Sequence, residues 1–306
     1  MSQATGREGD FAAPLIVSRG ETTRRGRRRS RKTGQIVAYV GLTGGAAVMV
    51  LPFFWMISTS LTARGMEFQV PPQWIPDPIV WSNYTEAIFK SGLPFPRFFV
   101  NTVIITSFNM VGVIFSASFA GFGFARLRFP GRNAIFVLVL ATMMLPGIIM
   151  LIPTYLLFKT IGWVDTWLPL IVPSFLGGGA FYVFLFRQFF MGLPMEMDEA
   201  ARIDGASTWH IYALIALPLS TPALISVGIF TFLNSWNNFL DALIYLNSIE
   251  KMTLAIGLLA FKGVRQSDWN LMMAAATVMI VPVLALFFVT QRYFVRGIVM
   301  SGLSGR

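Results

Sequence analysis

Apolar residues run along this chain in six long blocks, each free of Asp, Glu, Lys and Arg: Thr33–Ala63, Phe98–Ala125, Asn133–Phe158, Thr166–Phe186, Gly205–Leu240 and Trp269–Gln291. A hydrocarbon core of ~30 Å takes about 20 apolar residues in a helix. Backbone polar groups find no water there, so each block is expected to be helical. The pattern predicts spans near Gln35–Leu61, Phe98–Phe122, Asn133–Phe158, Leu168–Phe190, Leu219–Tyr245 and Leu271–Tyr293. The fifth block is too long for one span. Pro218 and Pro222 divide it, leaving Ser207–Leu217 to a loop. Pro146 and Pro153 are expected to kink the third span. Gly177, Gly178 and Gly179 either admit a close neighbour to the fourth span or loosen it. Short alternating segments of the kind a β-barrel needs do not stand out.

Composition agrees with the blocks. Of 306 residues, 55% are hydrophobic and 12% charged, against roughly 25% charged in soluble chains. The net charge of +10 is not spread over a face that could track nucleic acid, because seven basic residues crowd into Arg24–Lys32. Beside a first apolar span, such a cluster reads as a cytoplasmic anchor against anionic lipid. A solvated tail without a specific partner is the other reading. The first block greatly exceeds the roughly 7–15 residues of a signal h-region, so a retained span is expected. With no Cys and a single His, His210, thiol chemistry and a multi-histidine metal site fall away. No G-x-x-x-x-G-K-[ST] phosphate loop occurs.

These features predict an all-α, polytopic membrane protein with six transmembrane helices. Residues 1–34 form a disordered basic tail, 35–297 the transmembrane domain and 298–306 a second tail. Lys and Arg set the orientation. With the N-terminus inside, inner segments hold 17 of them and outer loops 6. Without the first tail the contrast is only 8 against 6. The preferred topology keeps both termini cytoplasmic. Two outer loops are long. Ala63–Pro96 carries Trp74, Trp81 and several prolines and is expected to be irregular and close to the headgroups. Leu246–Asp268 is comparable, and each loop is either a connector or a contact for an extracytoplasmic partner.

The segment Arg187–Asp204 departs from the apolar pattern with six charges in 18 residues. Pro194 suits a first helical position. Glu196, Asp198 and Glu199 follow, where the helix dipole favours carboxylates. Gly205 can end the helix in the left-handed region, and Ser207 or Thr208 can cap the next helix. Ala200 and Ala201 offer a face that another protein can approach closely. Helices that lie on anionic lipid favour Lys and Arg. Four carboxylates here point instead to a protein partner with basic groups.

Glu199-Ala200-Ala201, Asp204-Gly205-Ala206 and Leu217-Pro218 resemble the EAA loop of ATP-binding-cassette (ABC) importer permeases. Further matches are Asn101-Thr102, Phe119 to Arg126, Ser235 to Phe239 and Gln291 to Gly297. Together they resemble the shorter maltose-type sugar permease subunit over roughly residues 35–306. The resemblance implies a type I ABC importer permease in the inner membrane of a prokaryote. It implies a second permease subunit, two ATP-binding subunits and an extracytoplasmic solute-binding protein as partners. This chain would then hold no cofactor and be no enzyme, with ATP and Mg on the ATPase. The loop 191–218 would couple to that ATPase, Glu199 pairing with a basic group and Gly205 turning the chain. Ala200, Ala201 and Ala206 would allow close packing beside Asp204. Arg292 and Arg296 would touch the ATPase from the C-terminal end. His210 is given no role.

Polar residues inside spans are costly and face the bundle interior or a water-filled path. Asn234, Asn237, Asn238, Asp241 and Tyr245 fall at offsets 0, 3, 4, 7 and 11, one face of a continuous helix. Amides and hydroxyls near aromatic rings suit a polyhydroxylated substrate. Interhelical hydrogen bonds of ~0.6 kcal/mol each are the competing reading. The function expected is passage of a sugar. The alternatives are a self-sufficient secondary transporter or channel for a small polar solute, and a membrane-embedded enzyme, for which little chemistry is present.

Overall fold

The computed structural model describes residues 21–71, 73–262 and 268–303, with side chains over 34–71, 73–262 and 268–291. Arg292 and Arg296 therefore lie in helical backbone, but their side chains fall outside the described residues. Two units separate, Met1–Trp55 and Met56–Arg306. Helix α1 covers Glu21–Ser60. It begins well before Gln35, so helical backbone enters the segment expected to be a disordered tail. Arg and Lys fill that segment and are good helix formers.

The second unit is organised on α2, Phe95–Arg126, an unbroken helix of 32 residues. It opens with Pro96 in its first turn, where a missing N–H costs nothing. It stops where Leu127 turns extended. Its small residues let neighbours approach. A Cβ on Gly112 would collide with Ser174 Oγ, and one on Gly121 would lie 2.7 Å from Phe186 Cβ. Two buried clusters mark the two ends of this helix. Phe95, Phe98, Trp236 and Leu254 gather near its start, and Phe122, Phe186, Phe190 and Tyr212 near its end.

The third span is not the single kinked helix the sequence predicts. Helix α3, Arg132–Ala141, runs into a 3-10 turn at Thr142–Met144, and α4 restarts at Gly147–Thr160. The two parts meet at 100°. Pro146 forces Leu145 out of the helical region, and Leu145 takes ψ 119°. Pro153 stays inside α4.

The fourth span divides into α5, Leu168–Phe175, and α6, Ala180–Met191. Gly177, Gly178 and Gly179 between them all have positive φ, a region L side chains rarely adopt. A Cβ on Gly178 would also come within 3.0 Å of Val113 Cα. Loosening and close approach both occur at this one site.

Helix α7 covers Met195–Ile203. Helix α8, Thr208–Leu219, meets α9, Thr221–Trp236, at 76°. The chain then leaves the helix at Asn237–Phe239 and resumes as α10, Leu240–Tyr245. The predicted continuous fifth span over Leu219–Tyr245 is therefore corrected to a broken one. Helix α11, Trp269–Leu303, is unbroken and contains Pro282.

The long segment after α1 is more ordered than its prolines imply. Asn83 Nδ2 donates to the carbonyls of Ser60 and Thr62, each at 2.9 Å. Ser58 Oγ donates to the Trp74 carbonyl at 2.7 Å. Trp81 remains exposed, as a ring at headgroup level would be.

Candidate functional site

The charged loop builds the predicted helix, turn and helix. Pro194 is the residue before α7 rather than its first helical residue, with ψ 135°. Its ring removes an N–H that the helix would leave unpaired in any case. Glu196 and Asp198 occupy the first turn and Arg202 the last, which complements the helix dipole. Gly205 takes φ +83°. The Ala206 N–H then returns to the Ala201 carbonyl at 2.9 Å, and the Gly205 N–H to that of Arg202 at 3.0 Å. Ser207 caps α8 by accepting from the His210 N–H at 3.3 Å. His210 Nδ1 lies 3.0 Å from the same hydroxyl, which gives the lone histidine a local partner.

The three alanines divide by face. Ala201 and Ala206 pack on the chain's own core. Ala200 stays exposed beside Glu199, with Ile203 at 87% exposure. Among the described residues, Glu199 has no ion-pair partner. Asp204 ends α7 and is exposed.

Asp198 turns the other way and is buried. Its Oδ2 lies 3.6 Å from Arg126 Nη1. Arg126 Nη2 donates to the Leu193 carbonyl at 2.8 Å, and Nη1 also contacts the Met195 sulfur. One guanidinium at the end of α2 thus holds three residues at the start of the charged loop. Sequence reading missed this pair. Its one available signal was Arg126, a charge standing at the very end of a long apolar block.

Most polar residues of the fifth span line an open cavity of about 640 Å³. Asn234, Asn237, Asn238 and Asp241 line it with Asn109 of α2 and Tyr182 of α6. Asn234 Nδ2 donates to Tyr182 Oη at 3.0 Å, and Asn109 Nδ2 to Ser235 Oγ at 2.9 Å. Asn237 Nδ2 donates to the Leu233 carbonyl one turn back. Asn238 Nδ2 donates to Asp241 Oδ2 at 2.9 Å, and Asn238 Oδ1 accepts from the Asp241 N–H. Asn234 therefore bridges helices, whereas the bonds of Asn237 and Asn238 stay within their own segment. Irregular backbone at membrane depth is tolerated only where it is buried in protein or lines a wet cavity. The break at Asn237–Phe239 lines this one.

Two neighbours of that face lie elsewhere. Tyr245 is not in the cavity. The helix break rotates it away, and it is buried with its ring stacked on Tyr155 at 6.3 Å and edge-on to Phe158. Trp236 is buried behind the cavity, stacked on Phe232 at 5.2 Å. Its Nε1 donates to the Met279 carbonyl of α11 at 3.1 Å.

The opposite end of α2 carries a second set of contacts. Asn101 Nδ2 donates to the carbonyls of Glu250 and Met252 at 2.9 and 2.8 Å. Thr102 Oγ1 accepts from the Leu254 N–H at 2.9 Å. Beside them Asp165, at φ +58°, accepts from the N–H groups of Asn247 and Ser248, the Ser248 hydroxyl and Lys251 Nζ. The Ser248 donors, with Lys251 and Asn247, hold the Asp165 carboxyl well below the usual carboxylate range. No group of three or more His, Cys, Asp or Glu able to hold a metal occurs among the described residues.

Comparison with known proteins decides the class. Residues 112–300 match the family described as binding-protein-dependent transport system inner membrane component. The chain belongs to this family. An arabinooligosaccharides transport system permease protein, AraQ of Bacillus subtilis (strain 168), is 35% identical over 84% of this chain and 91% of its own. The trehalose/maltose transport system permease protein MalG of Thermococcus litoralis is 30% identical over 89% of this chain and 97% of its own. A crystal structure of a bacterial ABC transporter involved in import of the acidic polysaccharide alginate superposes with a TM-score of 0.75 at 25% identity. It covers 87% of this chain and 98% of that one.

The chain is thus an inner-membrane permease of a binding-protein-dependent system, as its motifs implied. Membership sets aside the self-sufficient secondary transporter or channel. Within this permease, four of the five polar residues singled out in the fifth span meet in one cavity. Tyr245 does not. Asn109 and Tyr182, which complete the cavity, came from spans where the sequence had marked no candidate. Asn109 was the second of two amides in its apolar block, and Tyr182 stands just past the three glycines.

Proposed function

We propose that this permease passes a mono- or oligosaccharide through the cavity at Asn234–Asp241, driven by ATP-binding subunits docked on the loop 191–218. The observation that carries the sugar assignment is the cavity itself. Its lining offers four amides, a carboxylate and the Tyr182 ring. Sugars present many hydroxyls to amides and a C–H face to an aromatic ring. The two relatives named for arabino-oligosaccharides and for trehalose or maltose support the same class of substrate.

In this reading the loop 191–218 and both termini face the cytoplasm, and 35–297 forms the transmembrane domain between terminal tails. ATP and Mg bind on the partner subunits and this chain holds neither. A second permease subunit completes the pore, and a binding protein delivers substrate outside. Glu199 and Ala200, which project from α7, meet the ATPase, with Gly205 setting the turn and Asp204 beside it. Ala201 and Ala206 seat the loop on the permease. Arg292 and Arg296 add contacts from α11.

The test is reconstitution of the complex from mild detergent into liposomes with its binding protein. Uptake of radiolabelled oligosaccharide dependent on ATP is expected. Asn237→Leu with Asn238→Leu should lower uptake at least tenfold while the ATPase stays attached, and loss of the ATPase in the same proportion would contradict the path. Glu199→Lys should leave the permease in the membrane and uncouple or release the ATPase. Normal transport by that variant would contradict the docking assignment.

A further inference from the structure

The contact between Arg126 and the start of α7 joins two elements with separate jobs. Helix α2 is the long strut of the unit, and α7 is the short acidic helix after the fourth span. A groove of about 570 Å³ runs between them, lined by Leu127, Arg128, Phe129, Glu199, Arg202 and Thr208 as well as the pair itself. Arg126 and Asp198 are buried at this groove, with side chains 2% and 8% exposed.

Three features make this contact a fixed joint. The guanidinium is planar and rigid, so holding Asp198, the Leu193 carbonyl and the Met195 sulfur together fixes both position and angle. The pair is shielded from water, where loss of either partner strands a buried charge. The face of α7 that carries Glu196, Glu199, Ala200 and Ile203 remains exposed. The helix is therefore gripped on one side and open on the other.

We propose that Arg126 is a positioning residue that welds the start of α7 to the end of α2, so that the two move as one body throughout the transport cycle. The proposal rests on the reading of α7 as the ATPase docking helix. Motion received on the open face of α7 passes through the guanidinium into α2. Helix α2 carries Asn109 at the cavity and Asn101 at its far end, so one pull reaches both.

The chain has no cysteine, which allows clean labelling. Spin labels go on Arg128→Cys and Glu196→Cys, both exposed positions, in the complete complex with cysteine-free partner subunits in lipid nanodiscs. Electron–electron distances are read without nucleotide and with ATP trapped on a hydrolysis-deficient ATPase. A joint predicts that the two distances agree within about 2 Å, well under the ~5.4 Å of a one-turn ratchet, and a larger difference overturns the proposal. With Arg126→Gln, solute imported per ATP should fall at least tenfold while hydrolysis continues. An unchanged ratio also overturns it. If Arg126→Gln does not assemble, the distances in the Arg126 complex decide alone. A label on α7 whose spectrum ignores addition of the ATPase overturns the docking reading instead, and with it the proposal.

Discussion

Lys251 Nζ sits 3.0 Å from Asp165 Oδ2 and also donates to the Asp165 carbonyl. Two loops far apart in sequence are thereby fastened, one after α4 and one after α10. Trp167 Nε1 adds a bond to the Lys251 carbonyl at 3.0 Å. The loops bracket the aromatic group of Phe158, Trp163 and Tyr245, which packs beneath them.

This clasp has a defined pH response. The Asp165 carboxyl is held below its ordinary range, chiefly by Ser248. A group with a depressed folded pKa stabilises the fold above its unfolded pKa of ~3.9, and loses that contribution as pH falls toward the folded value. The clasp should therefore be indifferent to pH between about 5 and 8. The thermal midpoint gap between the natural chain and Asp165→Asn, measured in detergent, should stay constant over that window. A gap that already narrows on going from neutral to mildly acidic pH would contradict the assignment.

Gly121 predicts a sharp contrast. A Cβ there would lie 2.7 Å from Phe186 Cβ and 3.0 Å from the Arg187 nitrogen. Gly121→Val should cost about 1–3 kcal/mol or more through overpacking, seen as a lower thermal midpoint and lower yield. Two residues on, Gly123 has nothing within 4 Å of its missing Cβ. Gly123→Ala should be neutral or stabilising by up to ~1 kcal/mol. The same thermal scan tests both.

Tyr182 and Tyr245 should separate in their effects. Tyr182→Phe keeps the ring and removes the partner of Asn234 in the cavity. A hydrogen bond nets about 0.5–1.5 kcal/mol, so the half-saturating substrate concentration should change by up to roughly tenfold with assembly intact. Tyr245→Leu breaks buried stacking outside the cavity. It should lower thermal stability and leave the substrate dependence of the remaining transport unchanged.

Trp236 offers a fourth test. Trp236→Phe removes the donor to the Met279 carbonyl and keeps an aromatic ring against Phe232. It should destabilise by about 1–3 kcal/mol, one buried hydrogen bond plus the volume the indole vacates. Thermal unfolding followed by protein fluorescence checks this, and an unchanged midpoint would contradict a stabilising role for the bond to Met279.

The blocks without charge were legible as spans because hydrocarbon tolerates little else. The charged loop was legible for the opposite reason, since Pro194, the early carboxylates and Gly205 each act through local backbone chemistry. The breaks were only half legible. Pro146 marked the position of the bend before α4, but a proline does not state its angle. Asn237–Phe239 carries no proline or glycine, and its break depends on packing around Trp236 and on the Asn238–Asp241 bonds. Helical periodicity assumed a continuous helix there and so carried Tyr245 onto the wrong face. Asp198 looked like one more dipole-complementing carboxylate. Only the fold brings Arg126, 72 positions away in the sequence, to meet it.

Helix α2 differs from the third, fourth and fifth spans in having no break. Between Asn101 and Arg126 it rises ~37 Å at 1.5 Å per residue, and it is hydrogen-bonded at both ends. In genetic terms this makes remote suppression the expected pattern. A lesion that loosens one end of the strut should be relieved by changes around Glu250–Leu254 at the other, where the contacts of Asn101 and Thr102 set the same helix. Revertants selected from a weak Arg126 variant should therefore fall in two places far apart in space.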